Sequence, residues 1–212
     1  MVKPVDRLDE NEKRLQQEIK RIAGRFNEVN KIFDEVKKTI IYDRRAFEVL
    51  STNFFIRRIN EPIFRERIQG KTKEASSALN RLKEASVILE EEIERIKRIF
   101  QAIYKLKRTG PETEKLEKEA IAFASYLSRV EEQIKESYVW IDRQIENLEA
   151  LEKYFFVEGD NHKRIQYKNS IFNMISDGLE LMQDQWRLFA KTTLTDNAIQ
   201  FRQYRRSRRE NQ

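Results

Sequence analysis

Arg202-Gln203-Tyr204-Arg205-Arg206-Ser207-Arg208-Arg209 is the densest run of one charge in the sequence. Arginines spaced this closely can meet phosphate oxygens through paired hydrogen bonds, and Tyr204 can stack on a base, so the stretch suits an anionic partner. Glu210 is the only acid among residues 202–212, so these five arginines supply four of the six net positive charges of the chain. A terminal block of like charge also occurs as a solvated extension that binds nothing specific.

A second basic group surrounds Pro62. Arg57, Arg58, Arg65, Arg67, Lys71 and Lys73 alternate there with Phe54, Phe55 and Phe64, and an antiparallel chain would bring Lys163, Arg164 and Tyr154 to the same end. Rings that gain by leaving water, set among cations that meet anionic headgroups, describe a contact with an acidic membrane surface. The same rings could instead close the end of a hydrophobic core.

Other chemistries lack their residues. There is no cysteine, which removes thiolate nucleophiles, thiolate metal sites and disulfides, and His162 is the only histidine. A di-metal site in a helical bundle calls for Glu-x-x-His pairs, which a lone histidine in a turn does not provide. No glycine-rich phosphate loop, nucleophile elbow or acid/base constellation is present. The chain is therefore expected to be no enzyme, with no cofactor, no metal and no small-molecule substrate. Glu90-Glu91-Glu92 is expected on a solvated face, balanced by Lys and Arg one turn away.

The elements that position these groups follow from hydrophobic spacing. Leu15, Ile19, Ile22, Phe26, Val29, Phe33, Val36, Ile40, Phe47 and Phe54 recur at alternating steps of four and three, the a/d rhythm of a helix that supercoils against others. The same rhythm recurs in Ala75, Leu79, Leu82, Ser86, Leu89, Ile93, Ile96, Phe100 and Ile103. It returns in Leu116, Ala120, Phe123, Leu127, Val130, Ile134, Ile141, Ile145, Leu148 and Phe155, and in Ile165, Phe172, Ile175, Leu179, Met182, Trp186 and Phe189. With 5 Gly and 3 Pro in 212 residues, turns are few and elements must be long. The fold class is all-α, an elongated antiparallel coiled-coil bundle of four long helices over residues 1–195, with a short basic C-terminal helix and tail over 196–212.

Local signals set expected boundaries. Asp6 reads as the N-cap of a first helix that runs to about Ile59, and Asp43 interrupts its stripe with a charge, a place for a bend or a change of partner. Pro62 predicts a break, followed by a short helix over 63–69, a C-cap at Gly70 and an N-cap at Thr72. Thr109-Gly110-Pro111 and Glu158-Gly159-Asp160-Asn161 are the next turns, and Gly178 marks a close approach of another backbone or a tolerated surface glycine. A second helix that begins only at Thr72 is shorter than the first. It would leave Leu8, Leu15, Ile19 and Ile22 overhanging as an exposed stripe and a site of self-association.

The first residues have no apolar signal-peptide core, and no window approaches the roughly 18 apolar residues of a membrane span. The expected location is cytoplasmic, with peripheral contact at a membrane. The function expected from these features is a non-enzymatic scaffold that forms homo-oligomers and docks on a protein partner or an acidic membrane. Nucleic acid held by the arginine tail is the alternative.

Overall fold

The computed structural model describes residues 4–52, 61–107, 113–155 and 166–189. All of them are helical. Helix α1 spans Pro4–Thr52, α2 Glu61–Lys107 and α3 Thr113–Phe155, and α4 covers residues 166–189. The four helices pack as a bundle, with no strand among the described residues. Their contacts fall into two compact units. Unit 1 comprises Met1–Glu28, Ser86–Glu136 and Gln185–Gln212, and unit 2 comprises Val29–Ala85 and Ser137–Asp184.

Each unit is closed by the apolar rhythm of the sequence. In unit 2, Phe33, Ile40 and Phe47 of α1 are fully buried with Leu79 and Leu82 of α2, Ile141 and Leu148 of α3, and Phe172, Ile175 and Leu179 of α4. The rings of Phe47 and Phe172 meet at 5.3 Å. In unit 1, Phe26 meets the buried Trp186 edge-on at 6.2 Å, and Phe100 meets Phe123 at 4.9 Å. Edge-on rings at these spacings are favoured by their quadrupoles beyond simple burial.

Contact order gives the directions. Glu35 pairs with Arg81 and Asp43 with Lys71, so α1 and α2 run oppositely. Lys97 pairs with Glu131 while Phe100 meets Phe123, which makes α2 and α3 antiparallel. Gln183 reaches Asp34 while Phe172 reaches Phe47, so α4 opposes α1. The bundle is up-down-up-down, as short connections between long helices require.

Several expectations are corrected. Helix α1 includes Asp6, because Pro4 occupies the first helical position, where a missing N–H costs nothing. No break follows Pro62. It is the second residue of α2, again in a first turn whose N–H groups have no intrahelical acceptor. Gly70 does not cap a helix, and no described glycine has positive φ. Ile68 and Ala75 are fully buried on either side of it, and that packing outweighs the roughly 1 kcal/mol that a helical glycine costs. Thr72 is no N-cap either, since its buried hydroxyl donates back to the carbonyls of Ile68 and Gln69 at 3.1 Å. Helix α1 stays helical through Asp43.

The longer α2 removes the expected overhang. Lys71 stands opposite Asp43, and Arg21 stands opposite Glu92, so α2 continues past Glu92 beside the first turns of α1. Leu15, Ile19 and Ile22 are 1%, 8% and 2% exposed, which places them in the chain's own core rather than on a surface open to a second copy. The side chain of Leu8 lies outside the described residues. On α3 the apolar rhythm is broken by polar groups: Ser137 and Gln144 take core positions, and Ile145 is only half-buried.

Candidate anionic-surface interface

The end of α1 and the start of α2 meet in unit 2, and their outer surface carries the groups of interest. Asp43 faces inward and is fully buried. Its neighbour Tyr42 therefore turns outward, 63% exposed, and Val49 one heptad later is 65% exposed. Arg45 lies between them on the same side, exposed. On α2, Ile63 is 51% exposed, and Arg65, Arg67 and Lys73 are exposed near it. Three apolar side chains and four cations are thus exposed along these two stretches. Glu66 and Glu74 are also exposed and partly offset these charges.

Lys71 is held within the chain. Its ammonium lies 3.2 Å from Asp43 Oδ1, also pairs with Glu74, and sits 4.7 Å above the ring of Tyr42. The Glu74 hydrogen bond, with further help from Asp43, holds its pKa above the usual lysine value. Lys71 is a structural clasp between α1 and α2, and its charge is already neutralised within the chain. Burial drives the Asp43 carboxyl up to about 6, with Lys71 pulling the other way. Neither Asp43 oxygen receives a well-aligned hydrogen bond.

Of the remaining cations singled out by the sequence, Arg65, Arg67 and Lys73 belong to this surface, while Arg57 and Arg58 lie outside the described residues. So do His162, the final short helix and the tail arginines Arg202, Arg205, Arg206, Arg208 and Arg209. Sequence reasoning missed Tyr42, Arg45 and Val49. The signal was their heptad position: Tyr42 and Val49 fall seven apart, off the buried stripe, where exposure follows from the helix period.

Unit 1 holds a different charged arrangement. Glu92 is 5% exposed, contrary to the expected solvated face, because it stands three residues after Leu89 and four before Ile96 on the buried side of α2. It accepts from Arg21 at 2.9 Å and has Arg25 at 3.6 Å. Glu90 meets Lys135 at 3.3 Å. Among the described residues, no group of three or more His, Cys, Asp or Glu side chains could hold a metal ion, and no helix is long and apolar enough to cross a membrane.

No protein-family model matches the chain, and neither a curated protein nor a solved structure matches it.

Proposed function

We propose that the chain is a non-enzymatic scaffold that docks on an acidic membrane surface through the α1–α2 end of unit 2, assisted by the arginine tail. The observation that carries this reading is the exposure of Tyr42, Val49 and Ile63 on the same two helix stretches as exposed Arg45, Arg65, Arg67 and Lys73. A cation near an acidic leaflet contributes roughly 1 kcal/mol, so four of them give about 4 kcal/mol, a millimolar affinity on their own. Apolar insertion or the additional tail charges must bring binding into the micromolar range. That requirement explains why rings, aliphatic side chains and cations occur together.

Flotation of the full chain with acidic vesicles, at low and moderate salt and with duplex DNA as competitor, tests the reading. The protein is expected to rise with the lipid in the presence of DNA, and neutral vesicles should leave it behind. Changing Arg57, Arg58, Arg65 and Arg67 together to Glu is expected to abolish flotation, and unchanged flotation would exclude this surface. Protein that stays with the DNA instead would assign the tail to nucleic acid, and truncation after residue 201 would then remove the binding.

A further inference from the structure

The α3–α4 seam of unit 2 has a core side and a solvent side. Trp140 of α3 rests on Gly178 of α4 and fixes the pairing of the two helices. One turn to either side of Gly178, Ile175 and Met182 are buried, whereas Met174 and Leu181 are 42% and 68% exposed. Met174 and Leu181 therefore line the solvent side, seven residues apart. Beside Trp140, Ser137 and Gln144 are buried and Arg143 is exposed, so Arg143 lies on the solvent side of α3. The helices are antiparallel, which brings Arg143 to the level of Met174. Val139, 57% exposed, and the exposed Asp177 lie one step further out on their respective helices. Neither Arg143 nor Asp177 has an ion-pair or hydrogen-bond partner among the described residues.

We infer that a second copy of the chain packs on this face about a two-fold axis running along the seam. The axis sets α3 of one protomer over α4 of its partner at the same level. Met174 and Leu181 then leave water against the other protomer's α3, and the stem of Arg143 crosses Met174 to bring its guanidinium to the partner's Asp177, twice by symmetry. The charge pattern selects this occupant. Arg143 and Asp177 sit on opposite helices, which a two-fold axis converts into unlike pairs, whereas an acidic membrane or a nucleic acid would face Asp177. A uniformly basic helix would face Arg143.

The size of the face sets the expected strength. Residues 166–184 span roughly 28 Å of helix, and two helices each about 10 Å across offer roughly 560 Å² in plan. A standard specific interface buries about 800 Å² per partner, so the dimer is expected to dissociate in the micromolar range. This inference stands apart from the membrane reading, and its test needs no lipid.

Sedimentation velocity of the full chain from about 1 to about 100 µM brackets that range. A dimer that dissociates on dilution is expected. Leu181→Glu, Arg143→Asp and Asp177→Arg should each raise the dissociation constant at least about tenfold, and the charge swap R143D/D177R should restore dimerisation. All these positions are exposed, and circular dichroism checks that the helices persist. A wild-type monomer at the highest concentration overturns the inference. So does a dimer indifferent to Leu181→Glu, or a folded charge-swap variant that stays monomeric.

Discussion

Trp140 lies over Gly178 so closely that a methyl group at position 178 would fall within its indole ring. The glycine is there for space, since its backbone is ordinary helix with no positive φ. Gly178→Ala therefore sets two effects against each other. Alanine favours the helix by about 1 kcal/mol, whereas overpacking a filled site costs about 1–3 kcal/mol. The ring cannot retreat inward, because Ile175 and Leu179 are fully buried on the same helix. A net loss of about 1 kcal/mol is expected by urea denaturation. In a Trp140→Leu background the same substitution should become neutral or stabilising, which isolates the ring as the cause.

Gly24 and Gly70 give the opposite result. A methyl group at either position meets nothing within 4 Å, and both lie within continuous helix. Only the propensity effect remains, so Gly24→Ala and Gly70→Ala should each stabilise by about 0.5–1 kcal/mol. The two sites belong to different units, and their effects should add. A double variant no more stable than either single one would show that the two stretches do not melt in one transition.

Asp43 sets a pH dependence whose sign can be worked out. Its carboxyl is raised to about 6 in the folded chain from an ordinary value of 3.8, mainly by burial. The folded state therefore holds this proton more tightly than the unfolded chain does. The stability associated with protonated Asp43 is complete below about pH 4, is lost as pH rises to about 6, and changes little above that. A rise of that size corresponds to at most about 3 kcal/mol. Asp43→Asn should remove this decline, so that the stability difference between variant and wild type grows between pH 4 and 6 in denaturation curves and then levels off. A constant difference across that range would mean that the Lys71 pairing fully offsets burial.

The outline of the fold was legible because the a/d rhythm depends only on spacing along one helix. Phe33, Ile40, Leu79 and Phe172 are buried as that rhythm requires. Properties that depend on a partner helix were not legible. Pro62 and Gly70 look like a break until Ile68 and Ala75 are seen packed on both sides of the glycine. Glu92 looks solvated until Arg21 approaches it from α1, and nothing near Gly178 in sequence announces Trp140. The candidate surface was half legible, since the cations of α2 stand out in composition, whereas Tyr42 and Val49 are marked only by falling off the buried stripe, a signal shared with every solvent-facing position.

Lys168 provides the last prediction. It occupies a core position of α4 and is 1% exposed, and burial lowers its pKa, with Glu48 supporting the charged form and Arg44 opposing it. A lysine whose folded pKa is depressed gives up its proton in the folded state first, so the penalty is greatest when both states are charged and fades as pH rises towards the ordinary value of about 10.4. Met fills a similar volume without a charge to desolvate. Lys168→Met should therefore be more stable than wild type at pH 7, by about 1 kcal/mol after allowing for the lost attraction to Glu48. That advantage should shrink as pH rises towards 10 in urea denaturation. If the methionine variant were instead less stable at pH 7, the interaction with Glu48 would outweigh burial, and Glu48→Gln should then destabilise wild type more than it destabilises Lys168→Met, where only the Arg44 pair is lost.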